Sequence, residues 1–212
     1  MHLSRFMKNT ILIIATFLVI GCGAGLTHTL VPDYGERGVV SIAVMPVTSK
    51  TDDEAAASIF RASLIENLYF KGYGRLTPDT VDGKTSGYAR DRALPNMSDI
   101  RPEVLGSLLG VDAVMYFRFD DLSISPGYLY APVTVSASFE LVSTKTGETL
   151  WTSRYSVTER TFGITPRRLE MKACQTYEMA VEEIMEKSLA TLPAGPRYVE
   201  APGSAGSTGA LW

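Results

Sequence analysis

Ala113-Val114-Met115-Tyr116-Phe117-Arg118-Phe119-Asp120 decides the fold of this chain. Ala113, Met115, Phe117 and Phe119 take one parity; Val114, Tyr116, Arg118 and Asp120 take the other. A period of two over eight residues predicts a β-strand with one face buried and the other wetter. The pattern returns twice. After an interruption around Ser125-Pro126-Gly127, Val133, Val135, Ala137, Phe139 and Leu141 alternate with Thr134, Ser136, Ser138 and Glu140. Beyond a turn at Thr146-Gly147, Thr149, Trp151, Ser153, Tyr155 and Val157 share a face, with Trp151 and Tyr155 expected in the core. Runs joined in this way form an antiparallel meander.

Upstream, the character changes to α/β. Val39 to Val47 is short, rich in β-branched residues and checked by Pro46, which predicts a central strand. Thr51-Asp52-Asp53-Glu54 has the spacing of a capping box, and its acidic residues compensate a helix dipole better than they would hold a metal. Behind it, Ala56, Ile59/Phe60, Ser63/Leu64 and Leu68 recur at helical spacing until Gly72, and Tyr73 to Leu76 follows as a short strand. Residues 77–97, broken by Pro78, Gly83, Gly87 and Pro95, read as a long loop. Pro102 opens a short helix that Gly110 closes. A last helix, from near Pro166, carries Leu169, Ala173, Tyr177, Ala180/Val181, Ile184 and Ser188 on one stripe.

The expected fold is therefore a single-domain α/β sandwich over residues 38–192. Its mixed sheet, with the antiparallel meander, packs against two main helices, Glu54–Lys71 and Arg167–Leu189. Residues 22–37 read as a flexible tether. Residues 193–212 read as a disordered tail with too little apolar matter to order itself.

The amino terminus carries export information. Arg5 and Lys8 precede an apolar run from Ile11 to Ile20, and Val19-Ile20-Gly21 leads into Cys22. Such a run is too short to span a bilayer and reads as a secretory signal over residues 1–21. The cysteine directly after a small residue resembles a bacterial lipobox, which implies lipidation of Cys22; an ordinary signal or an N-terminal anchor is the alternative. Removing residues 1–21 leaves 18 of the 20 basic residues against 23 acidic ones, a net of −5. That balance gives no footprint for nucleic acid. A lipidated Cys22 leaves Cys174 no partner within the chain, so Cys174 reads as a buried structural thiol.

Two stretches carry a family resemblance: Ile42-Ala43-Val44-Met45-Pro46-Val47 followed by helix and Leu109-Gly110-Val111-Asp112-Ala113-Val114, and Phe139 through Trp151 with its Lys145-Thr146-Gly147-Glu148 turn. Together they resemble the periplasmic α/β domain shared by CsgG-like lipoproteins, the TolB amino-terminal domain and activator lipoproteins of penicillin-binding proteins. Within that group the chain is most similar to small bacterial lipoproteins of the surface-antigen type, for which no enzymatic activity is established. The chain lacks the long amphipathic hairpins with which pore-forming CsgG-like proteins build a barrel. The resemblance implies a non-enzymatic, lipid-anchored periplasmic protein in an envelope complex, with a homo-oligomer among its assemblies. Accessory to secretion or transport, and activator of a peptidoglycan synthase, are the alternatives. Gly23 after Cys22 implies the outer membrane by the sorting rule of such lipoproteins.

Candidate chemistry is sparse. The mature chain would hold one histidine, His28, which leaves no Ser/His/Asp or Cys/His set and no His-based metal constellation. Neither a phosphate-binding P-loop nor a dinucleotide fingerprint occurs, so no cofactor is expected. Asp120-Asp121 reads as a strand-end pair whose carboxylates point to opposite faces. Tyr128 and Tyr130, in the insertion between strands, are candidate partner contacts, or fold back over the sheet. Arg167-Arg168 opposes the dipole of the helix it starts; it is a solvated pair or a contact for acidic lipid or a partner.

Overall fold

A computed structural model describes residues 25–47, 54–124, 130–162 and 179–197. One six-stranded mixed sheet organises them: β1 (Thr27–Leu30), β2 (Ser41–Val44), β3 (Gly74–Arg75), β4 (Ala113–Ile124), β5 (Tyr130–Ser143) and β6 (Thr149–Phe162). Its order is β1-β6-β5-β4-β2-β3. β2 runs parallel to β3 and β4, while β4-β5-β6-β1 is antiparallel throughout. Four helices accompany it: α1 (Glu54–Phe70), α2 (Pro78–Asp91), α3 (Pro102–Leu109) and α4 (residues 179–190).

The expected parity decides which side of each strand is hydrocarbon. Ala113, Met115, Phe117 and Phe119 of β4 join Phe139, Leu141 and Trp151 in the larger core, under α1 and α4. Phe60 of α1 is its centre. Its ring stacks on Phe117 at 5.3 Å between centroids and meets Phe119 edge-on at 4.7 Å, an arrangement aromatic quadrupoles favour. α4 closes the other end, where Trp151 Nε1 donates to Thr191 Oγ1 (3.0 Å) and the Tyr155 hydroxyl to Glu183 (2.7 Å). Both Trp151 and Tyr155 are buried, as their parity requires.

The other side of the sheet has its own, smaller core. Ala43, Met45, Val114 and Val142 meet Val81 and Ala89 of α2 and Leu105 and Leu109 of α3. This layer corrects the reading of residues 77–97 as a loop. Pro78 takes the first turn, and Val81, Thr85 and Ala89 fall four residues apart on one buried line. Thr85 hides the pattern because it is polar. Its hydroxyl donates to the Val81 carbonyl (2.8 Å), so it is buried without an unsatisfied group. Arg61, only 7% exposed, bridges the two layers from α1, with both guanidinium edges on Asp82 of α2 (2.7 and 2.8 Å) and on the Val44 carbonyl.

The ends of the domain also differ from expectation. Part of the predicted tether is ordered: Thr27–Leu30 pair with β6, Leu26 packs against the larger core, and Tyr34 is buried. Tyr73 donates to the Pro193 carbonyl (2.7 Å), so its oxygen accepts from the Tyr34 hydroxyl (2.9 Å). Gly195 and Arg197 continue onto the carbonyls of Lys71 and Gly72 (2.8 and 3.2 Å), which extends order past the expected boundary at Pro193. Backbone hydrogen bonds to a preformed helix end order these residues, where their own composition would not.

Candidate functional site

Among the described residues, α2 and α3 cover the smaller-core side over β2, the start of β4 and the end of β5. Beyond them, the middle of β4, β5 and β6 and the whole of β1 line an open concave basin of about 610 Å³. Strand register lays out its floor. Arg118, Ser138, Arg154 and Thr27 form one row across four strands, and Tyr116, Glu140, Thr152 and Thr29 form the next.

Asp120 organises the first row. It sits at a β-bulge between Phe119 and Asp121, where one extra residue enters β4 and β5 does not follow. Its carboxylate accepts from Arg118 Nε (3.0 Å), from Arg154 Nε (2.9 Å) and from the Ser138 hydroxyl. Partial burial alone would raise this carboxyl. The Ser138 hydrogen bond and the Arg154 and Arg118 charges outweigh it and hold Asp120 below the ordinary carboxylate range. The bulge also corrects the expectation for Asp120-Asp121. β4 continues to Ile124, so this is not a strand end. Asp121 pairs with Ser136, which shares the face of Ser138, so both carboxylates lie on the same side. Asp121 is exposed to solvent.

Arg118 and Arg154 remain 62% and 57% exposed, and each uses Nε on Asp120. Both guanidiniums are thus oriented by one carboxylate while their outer N–H groups stay available to a polar ligand. In the next row, Thr29 and Thr152 share a hydroxyl–hydroxyl bond (2.6 Å), and Glu140 accepts from Thr149 (2.7 Å). Burial, with the charges of Glu140 and Glu103, pushes the Tyr116 phenol up to about 12, so it stays a neutral donor. The basin offers hydroxyl, phenol and guanidinium donors, with carboxylates interspersed. Among the described residues no group of three or more His, Cys, Asp or Glu side chains is placed to hold a metal ion.

The motifs singled out in the sequence serve the scaffold at one end of the sheet. Asp112 accepts from the backbone N–H groups of Val40 and Ser41 and from the Ser41 hydroxyl (3.1, 3.1 and 3.0 Å), joining β4 to β2. Burial would raise its carboxyl, but these donors and Lys145 lower it. Gly110 takes φ +73° to end α3, and Gly147 takes φ +70° in the turn between β5 and β6. Thr144 donates to the Val111 carbonyl (2.7 Å) and lies against Gly106 of α3, where a Cβ would come within 2.5 Å of the threonine Cβ.

Of the candidate contacts, Tyr130 is the first residue of β5, opposite Phe162. Cys22, Tyr128, Arg167, Arg168, Cys174 and the capping-box Thr51 lie outside the described residues. The Arg118–Asp120–Arg154 cluster was not anticipated. Parity placed Arg118 and Asp120 together, but Arg154 joins them only through the register between β5 and β6.

The family model described as "Putative lipoprotein GNA1162-like" matches residues 33–188. The chain belongs to this family. A relative from Neisseria meningitidis serogroup B, described as "Putative lipoprotein NMB1124/NMB1162", is 31% identical over 129 residues, 59% of this chain. The chain spans 58% of that relative's length. The crystal structure of lipoprotein GNA1162 from Neisseria meningitidis is 25% identical, with a TM-score of 0.50 over 68% of this chain and 99% of that one. The PelC dodecamer of Paraburkholderia phytofirmans is more distant, 15% identical with a TM-score of 0.49 over 81% of this chain and 99% of that one. Among the described residues no helix of this GNA1162-like chain is long and apolar enough to cross a membrane.

Proposed function

We propose that this GNA1162-like chain is a non-enzymatic component of the bacterial envelope, anchored in the outer membrane by acyl chains on Cys22, with its domain in the periplasm. The observation that carries this reading is the match to a lipoprotein family over residues 33–188, coming just after a lipobox-like Val19-Ile20-Gly21-Cys22. Several acyl chains on one cysteine provide lasting attachment where a single chain would not. The domain's contribution is a surface. Asp112, Gly110, Thr144 and Gly147, from the stretches that carry the resemblance, are used in holding the sheet and its turns together. The uncovered polar basin is what the domain presents to a partner.

Intact mass and fractionation test the anchor. The native chain is expected in the outer-membrane fraction, beginning at an acylated Cys22, and the Cys22→Ala chain in the soluble periplasm. Membrane retention of the alanine chain would overturn the reading. Crosslinking from labels at Thr29 and Thr152, followed by mass spectrometry of the captured envelope component, tests the surface.

A further inference from the structure

The distance from the anchor to the sheet sets how the domain can sit. Thr27 already pairs with Arg154, and Leu26 packs on the core. Five residue steps separate Cys22 from Thr27, a reach of at most about 17 Å. β1 runs antiparallel to β6, so its amino-terminal end points along the part of β6 that continues past Arg154 to Phe162. That continuation is eight residue steps, about 26 Å of strand. It is paired with β5, which is paired with β4 as far as Ile124, and no described strand covers its other edge. The amino-terminal end of β1 and this three-stranded projection therefore point the same way, and the projection exceeds the greatest reach back to Cys22 by about 9 Å.

If the strands stood upright on the bilayer, the end of the projection would be driven below the level of Cys22. The rows there are polar on the open side: Ser136 lies opposite Ser156, and Thr134 opposite Thr158, with the last pair hydrogen-bonded at 3.1 Å. Hydroxyl rows are costly to bury in hydrocarbon and well suited to headgroups. The opposite side of the sheet is occupied by α1 and α4, and α2 and α3 cover only the far end of the open side. Among the described residues, no helix lies over the projection on the open side.

We infer that the β4–β5–β6 projection lies along the bilayer that holds the Cys22 acyl chains. Its Ser/Thr rows and the Arg118–Ser138–Arg154 row turn toward phospholipid headgroups. This rests on the lipid-anchored reading and deepens it, naming the membrane itself as a partner of the open face. The two guanidiniums that Asp120 orients supply donors for lipid phosphate. The turn from Thr144 to Glu148 and the Asp112 junction then face away from the membrane, at the other end of the strands.

The test uses the full lipidated protein in vesicles of phosphatidylethanolamine and phosphatidylglycerol containing a nitroxide-headgroup lipid. In a Cys174→Ala background, a fluorophore is placed at Thr158→Cys, at Ser156→Cys or at Lys145→Cys. Intact mass reports acylation of each sample. Labels at positions 158 and 156 are expected to be quenched about twofold or more relative to the label at 145, as a face seated at headgroup depth requires. Acylated chains with all three labels equally unquenched would overturn the orientation alone. Chains of unacylated mass would overturn the anchored reading and the orientation with it.

Discussion

The two faces of β4 teach different things. On one, Met115, Phe117 and Phe119 share a buried apolar core with Phe60 and Phe139. On the other, Val114 is sealed under α2 and α3, Tyr116 is half-buried, and Arg118 stands in solvent. A strand of alternating parity can be buried on one side all along its length. It stays open on the other only where no helix arrives. The packed face holds the fold together. The graded face places charge, hydroxyls and a phenol where something outside the domain can reach them.

The largest effect that would test this contrast is loss of the aromatic centre. Phe60→Ala is expected to cost about 3–5 kcal/mol, read as a lower urea midpoint at an unchanged slope. A loss under about 1 kcal/mol would mean that the packed face does not carry the stability. Next comes the junction between α3 and the turn: Gly106→Ala should cost about 1–3 kcal/mol, because its Cβ meets Thr144 and both are held by backbone. On the open face, by contrast, Arg118→Ala and Arg154→Ala should each change stability by no more than about 1 kcal/mol, since both pairs with Asp120 are largely solvated. A larger loss would turn the cluster from a presented surface into a structural one.

The smallest effect is in pH. Asp112 and Asp120 both have folded values below those of the unfolded chain. Their contribution is full above the unfolded carboxylate value of about 4 and is lost as the pH falls through the folded values. Acid titration of the unfolding free energy should therefore steepen below about pH 4. Asp112→Asn and Asp120→Asn should each flatten part of that slope. An unchanged slope in both would show that these carboxylates are not linked to folding.

Where periodicity was strong, the chain was legible. The meander, the strand at Val44, the helix around Phe60 and Leu64 and the glycine stop at Gly110 follow from parity, spacing and caps. Each is a local rule that burial reinforces. α2 was illegible for a physical reason. Its buried line of Val81, Thr85 and Ala89 contains one polar residue that satisfies itself on its own backbone, and Gly83 and Gly87 fall on sides open to space. β1 was illegible for another. Thr27–Leu30 has no apolar pattern, and its order comes from ladder bonds to β6. The Arg118–Asp120–Arg154 cluster depended on a bulge and a register, neither of which parity encodes.

By itself, the sequence determined which residues are hydrocarbon-facing, where most elements stop, and that an apolar run behind two basic residues leads into Cys22. Those follow from side-chain chemistry read over a few neighbouring positions. Only the tertiary structure decided which sheet face stays open, which charges gather on it, and how short a link joins Cys22 to the sheet. These depend on pairings between residues far apart in the chain, and the free energy of such pairings is carried by neither partner alone.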